Sequence, residues 1–142
     1  MSKVAFFDFS DSEIKNFKKL SIKALVLFGS QAQGLASQSS DFDIGVIVGD
    51  GKVLYRENQR KEIYDFLYDI FSGKINQLSN IDIVFLETAP AELRAHVMKY
   101  GKLIFKDSSN IFADFKAQVM EQNADFAPLQ YIFHSGILTQ IH

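Results

Sequence analysis

Short apolar runs separated by polar loops predict three strands in the first 90 residues of the chain. Residues 24–28 are almost wholly apolar, and residues 81–86 are apolar except for Asp82, a pattern typical of buried strands. A strand is also predicted at residues 41–48, where Asp41, Asp43 and Gly45 alternate with apolar residues. A fourth, short strand is predicted at residues 102–106.

Helical spacing of apolar residues accounts for much of the remaining chain. The pattern Ser10-x-x-Glu13 is typical of a capping box and predicts the start of a first helix. The longest helical pattern covers residues 55–71. A helix that begins at Pro90 and another over about residues 110–123 follow. No repeat or linker interrupts this order, so we expect one domain over the whole chain, 1–142.

The C-terminal segment, residues 126–142, is very apolar for the end of a chain. One interpretation is a final helix that closes over the core. The other is a docking surface for a partner, in a homo-oligomer or a hetero-oligomer, because contiguous exposed apolar patches mark interfaces. The sequence alone leaves both open.

Composition and charge narrow the classes of function. The chain has no cysteine, which excludes disulfides, thiolate zinc sites and a cysteine nucleophile. Its formal net charge is -2, from 15 Lys+Arg against 17 Asp+Glu, so we expect no direct binding to nucleic acid. No apolar run is long enough to span a bilayer, and acidic residues come too early for a signal peptide. We therefore expect a cytoplasmic protein without membrane contact.

Three carboxylates at predicted strand ends are the candidate chemistry. Asp41 and Asp43 are two residues apart, so in a strand both point to one face. Asp82 is the lone charge in the third predicted strand. If these strands are neighbours, the three carboxylates converge, and like charges at short range need a cation. Mg²⁺ binds such oxygen ligands together with substrate phosphates, and a pair of Mg²⁺ ions can stabilise displacement at phosphorus.

Gly29 and Ser30 follow the first strand and form the second candidate element. Glycine lets a ligand approach the backbone closely, and a helical turn after it would offer free N–H groups to an anion. The pair is therefore a candidate seat for a triphosphate beside the metal site. Taken alone, a Gly-Ser pair or an Asp-x-Asp pair is usually a turn or a capping device. The combination of both, ten residues apart, is more specific.

The stretch LFGSQAQGLASQSSDFDIGVIV resembles the signature of the DNA polymerase β-like nucleotidyltransferase superfamily, with the third acid in IDIVFL. The small size and the stretches ETAPAELRAHVMKYGKLIFKD and NADFAPLQYIF resemble the minimal nucleotidyltransferases (MNT). The resemblance covers roughly residues 22–133. It implies an α/β (α+β) nucleotidyltransferase fold, with a small mixed sheet flanked by helices.

The resemblance also implies roles for individual residues. Asp41 and Asp43 match the paired metal ligands of the family, and Asp82 matches the third acid, which helps to hold the metal and aligns or deprotonates the acceptor hydroxyl. Gly29 and Ser30 match the pair that contacts the nucleotide phosphates. Many MNT proteins are antitoxins of HEPN toxins, and some transfer AMP from ATP to a tyrosine of the toxin. We therefore expect Mg²⁺, ATP and a HEPN toxin as cofactor, substrate and partner.

Two alternatives remain at this stage. The chain departs from the family at Gln33, where an arginine or lysine often stands, and this favours an antitoxin that neutralises its partner by binding alone. Arg94 or Lys102 could supply the missing cation. The other alternative is an enzyme that modifies a small molecule such as an aminoglycoside, against which the short chain argues.

Overall fold

The computed structural model describes residues 7–29, 32, 41–49, 51–75 and 80–123, and these form a four-stranded sheet with helices on both faces. None of the helices in this described part is long and apolar enough to cross a membrane. In chain order the elements are α1 (Asp11–Lys19), β1 (Ile22–Phe28), β2 (Phe42–Val48), α2 (Glu57–Ser72), β3 (Ile81–Phe85), α3 (Ala91–Tyr100), β4 (Lys102–Lys106) and α4 (residues 111–123).

The sheet is mixed, as predicted, with the strand order β3-β2-β1-β4. Strand β1 is antiparallel to both of its neighbours, whereas β2 and β3 are parallel. The N-terminal ends of β2, β3 and β4 therefore lie at the same end of the sheet as the C-terminal end of β1. This end, which carries the candidate residues, is called the carboxylate end below.

Two apolar clusters cover the two faces of the sheet. Helices α1 and α2 bury one face, and α3 and α4 bury the other. Alternation along β1 divides its side chains between the faces, so that Leu25 and Leu27 lie in the first cluster and Val26 and Phe28 lie in the second. Each strand can thus present polar residues only near its ends.

The local signals in the sequence match the structure closely. The side-chain oxygen of Ser10 accepts a hydrogen bond from the Glu13 N–H at 3.1 Å, and the Glu13 carboxylate accepts one from the Ser10 N–H at 2.9 Å. The capping box at the start of α1 is therefore confirmed. Pro90 is the N-cap of α3 rather than its first residue. Two short 3-10 turns, Gly51–Tyr55 and Leu86–Thr88, had no clear signal in the sequence.

Two predicted features lie outside the described residues. These are the turn and loop predicted between β1 and β2, of which the structure describes Ala32 alone, and the apolar C-terminal segment, residues 126–142.

Gly101 fixes the end of α3 against the sheet. A Cβ at this position would lie 2.5 Å from Val26 Cγ1 and 2.5 Å from the Val97 carbonyl oxygen. We therefore expect Gly101→Ala to lower the free energy of unfolding by about 2 kcal/mol, the usual cost of overpacking. Urea denaturation measures this change. Gly51→Ala is the matched control, because a Cβ at Gly51 meets no atom of the described residues within 4 Å. Equal midpoints for the two variants would contradict the prediction.

Candidate functional site

The topology brings the predicted carboxylates to one end of the sheet. Asp43 in β2 is the Cα partner of Asp82 in β3, in a parallel pair. Asp41 directly precedes Phe42, the first residue of β2. The condition set by the sequence, that the strands of Asp41 and Asp82 be neighbours, is therefore met.

Alternation along the strands decides which face these carboxylates share. Ile44 and Ile83 belong to the cluster under α1 and α2. Their neighbours Asp43 and Asp82 consequently project to the opposite face, the side covered by α3 and α4. Phe28, the partner of Asp43 in β1, lies on that same side.

The three carboxylates influence one another electrostatically. The pKa of Asp43 is raised above its ordinary value, first by burial and then by the negative charges of Asp82 and Asp41. Asp41 and Asp82 are exposed, whereas Asp43 is partly buried between them. Negative charges therefore repel one another within the cluster, and a cation bound there would relieve the repulsion.

Gly29 forms a tight corner against Asp43. Its φ of 80° lies in the left-handed region that favours glycine. A Cβ at this position would collide with Oδ2 of Asp43, so only a residue without a side chain lets the two approach. The backbone after β1 is thus placed directly beside the carboxylate cluster. Ser30, the other residue predicted to contact phosphates, lies outside the described residues.

The donor set fits a hard divalent cation by its chemistry, since all three candidates are carboxylates and Asp43 and Asp82 are matched in register. The side chains are not drawn together around a point. Among the residues that the structure describes, no three His, Cys, Asp or Glu side chains form a group that could hold a metal ion. Like charges keep such side chains apart, so ligation would require rotation of their carboxylates inward.

The two cations considered as replacements for Gln33 are not directed at this cluster. The Arg94 guanidinium donates to the carbonyl of Ala89, which precedes α3. Lys102 pairs with Leu27, whose side chain lies in the cluster under α1 and α2. Because directly paired residues share a face, this register places Lys102 on the face opposite to Asp43. Gln33 itself lies outside the described residues.

The end of α3 contributes side chains to which the sequence pattern assigns no role. The rings of His96 and Tyr100 lie 5.1 Å apart between centroids, and Lys99 Nζ lies 5.4 Å from the Tyr100 ring centroid. Their only signal in the sequence is the i, i+4 spacing of two aromatic rings. We call these three residues the α3 cluster.

Comparison with known proteins identifies relatives by sequence. The family described as polymerase beta, nucleotidyltransferase matches residues 12–110. The protein adenylyltransferase MntA of Aphanizomenon flos-aquae (strain 2012/KM1/D3) is 31% identical over 113 residues. This alignment covers 77% of the present chain and 73% of MntA.

Solved structures share the fold at lower identity. A chain of a toxin–antitoxin crystal structure with AMP-PNP matches with a TM-score of 0.56 at 20% identity, covering 88% of this chain and 94% of that chain. A chain of the solved complex between tri-AMPylated Shewanella oneidensis HEPN toxin and MNT antitoxin matches with a TM-score of 0.53 at 18% identity. That match covers 90% of this chain and 94% of the other.

Proposed function

The chain belongs to the polymerase β nucleotidyltransferase family, and from that premise we propose that it is an antitoxin that adenylylates its toxin. The proposed reaction transfers AMP from ATP to a tyrosine hydroxyl of a partner HEPN toxin. The relative MntA is named a protein adenylyltransferase. Among the structural neighbours, one complex pairs an MNT antitoxin with an AMPylated HEPN toxin.

One observation carries the proposal within this chain. Asp43 and Asp82 stand side by side on parallel strands, next to the glycine corner at Gly29. Carboxylates that share a sheet end with a close-packed backbone turn can hold a metal–triphosphate complex from two sides. Burial and the other two aspartates raise the pKa of Asp43, which supports a site whose negative charge is compensated by a bound cation.

The proposed step is an in-line displacement at the α-phosphorus of ATP. The acceptor hydroxyl oxygen forms a bond to this phosphorus, the bond to the bridging oxygen of the β-phosphate breaks, and pyrophosphate leaves. In this scheme the Asp82 carboxylate, exposed at the edge strand, accepts the hydroxyl proton. Gly29 keeps side-chain atoms away from the path by which the phosphates reach Asp43.

We propose Mg²⁺ as the cofactor, held by Asp41, Asp43 and Asp82. When bound, it neutralises charge on the phosphates and stabilises the leaving pyrophosphate. Asp43 is the central ligand in this assignment because it lies between the other two and is partly buried, which restricts its motion. Ser30 is proposed to add a hydroxyl donor to the phosphates.

The test is label transfer from ATP to the toxin. The protein is incubated with Mg²⁺, a HEPN partner encoded beside it and ATP labelled at the α-phosphate. We expect label on a tyrosine of the partner, and none when the label is on the γ-phosphate, because that phosphate leaves with pyrophosphate. EDTA should abolish transfer. An absence of transfer from α-labelled ATP with Mg²⁺ would overturn the enzymatic proposal.

The same experiment separates catalysis from neutralisation by binding. If transfer is the mechanism, a variant that cannot transfer AMP leaves the toxin active in a growth assay. Neutralisation at the wild-type level by a variant without transfer would instead establish the binding-only antitoxin. An aminoglycoside in place of the toxin should receive no label.

A further inference from the structure

We propose that the α3 cluster, His96, Lys99 and Tyr100, is the binding platform for the base of the nucleotide. This inference rests on the proposed function, because it assigns a subsite to the same nucleotide. The ligand it would take is a purine base, bound by stacking on the rings.

The position of α3 follows from the packing of its last turn. Gly101, the residue after the helix, lies against the end of β1. A Cβ at Gly101 would lie 2.5 Å from Val26 Cγ1 and 3.3 Å from the Leu27 carbonyl oxygen. These are residues near the C-terminal end of β1, one strand away from Asp43. Neighbouring strands are about 4.8 Å apart. Helix α3 therefore ends at the carboxylate end of the sheet.

The helix also lies on the face that carries the carboxylates. Val97 and Met98 pack in the cluster that contains Val26 and Phe28. This is the face to which Asp43 and Asp82 project. The rings at the end of α3 are consequently on the same side of the sheet, and at the same end, as the site of phosphoryl transfer.

The handedness of the connection between β3 and β4 determines which flank of α3 bears the rings. Both strands run antiparallel to β1, so they are parallel to each other, and α3 connects them. Such a crossover is right-handed in nearly all proteins. Helix α3 runs toward the carboxylate end and packs Val97 and Met98 against the sheet. In a right-handed α-helix with this direction, His96 and Tyr100 lie on the flank that faces β2 and β3. The other flank, with Ala95, faces the side of β4 and α4. The rings therefore border the space above Asp43 and Asp82.

The rings have the properties of a stacking surface. Tyr100 keeps 49% of its surface exposed although it is a large aromatic residue, and His96 is exposed as well. Their rings are tilted by 48°, and Lys99 adds a positive charge beside Tyr100. A base has a π-face that stacks on such rings, and a nearby cation favours the adjoining phosphates. In a nucleotide, the base is separated from the phosphates by the ribose. Because of this separation, the surface that binds the base must lie beside the carboxylates rather than on them.

The test compares a nucleotide with its phosphate tail alone. Calorimetry with Mg²⁺ measures the affinity for a non-hydrolysable ATP analogue and for inorganic tripolyphosphate. We expect Tyr100→Ala to bind the ATP analogue about tenfold more weakly, the usual loss for one base–aromatic stack, with its tripolyphosphate affinity unchanged. Tyr100→Phe should retain wild-type affinity because the ring remains. Tyr55→Ala is the matched control, since Tyr55 is 82% exposed and follows the other end of β2.

The outcomes separate this inference from the proposed function. Equal affinity of Tyr100→Ala and wild type for the ATP analogue would overturn the platform. An equal loss for tripolyphosphate would also overturn it, because the effect would then not concern the base. In the transfer assay the platform predicts a raised KM for ATP and an unchanged kcat in Tyr100→Ala. A wild-type protein that binds the ATP analogue through Tyr100 but transfers no AMP would overturn the proposed function and leave the platform standing.

Discussion

Replacing Asp43 with asparagine is expected to lower the rate of AMP transfer by roughly a thousandfold and to leave the free energy of unfolding unchanged or higher. The loss of activity follows from removal of the central carboxylate of the proposed metal site. The effect on stability has a separate cause, because burial and the charges of Asp82 and Asp41 raise the pKa of Asp43. An amide of nearly the same shape removes this repulsion without creating a cavity.

Two measurements check the opposite directions of these effects. Label transfer gives the rate, and thermal unfolding in EDTA gives the stability without a bound cation. Added Mg²⁺ should stabilise the wild type and have a smaller effect on Asp43→Asn, since a ligand stabilises the state that binds it. Asp69→Asn is the control, because Asp69 is exposed on α2, the helix that covers the face of the sheet opposite to the carboxylates. Transfer by Asp43→Asn at the wild-type rate would remove the assignment, and a strongly destabilised variant would make Asp43 a structural residue.

The elements that could be predicted from the sequence are those determined by local physics. The capping box at Ser10 and Glu13 satisfies backbone groups within one turn, so four residues were enough to predict it. The strands were predicted by continuous or alternating apolar residues, and their bounds were correct to within about two residues. The spacing of Asp41 and Asp43 likewise predicted that both side chains point to one face, because alternation in a strand is a local property.

The arrangement that depends on distant parts of the chain could not be read from the pattern. The pairing of Asp43 with Asp82 needs β2 and β3 to be adjacent and parallel, and apolar runs alone do not specify the strand order. The directions of Arg94 and Lys102 depend on the packing of α3 and on the register of β4. The α3 cluster is brought to the carboxylate end by the crossover between β3 and β4, for which the sequence gives no residue-level signal.

Glu87 is a second residue whose properties depend on the tertiary environment and could not be predicted from the sequence pattern. It lies in the turn between β3 and α3, at the end of the sheet opposite to the carboxylates. Its Oε2 accepts a hydrogen bond from the Val48 N–H at 2.9 Å, and its buried Oε1 has no hydrogen-bond partner among the described residues. Burial raises the pKa of Glu87 from 4.5 to about 7. The folded protein therefore binds this proton more tightly than the unfolded chain does.

Glu87→Gln is accordingly expected to make the protein more stable at pH 8, by about 3 kcal/mol, and equally stable at pH 4. Below pH 4.5 the carboxyl is protonated in both states of the wild type, so it contributes no difference. As the pH rises from 4.5 to about 7, the unfolded chain releases the proton first, and the stability of the wild type falls. Glutamine keeps an acceptor for the Val48 N–H and has no charge to bury. Urea denaturation at several pH values measures the difference between the two proteins, and Glu62→Gln, at an exposed position of α2, should follow the wild type. A difference between Glu87→Gln and wild type that does not change with pH would show that this carboxyl titrates alike in the folded and unfolded states.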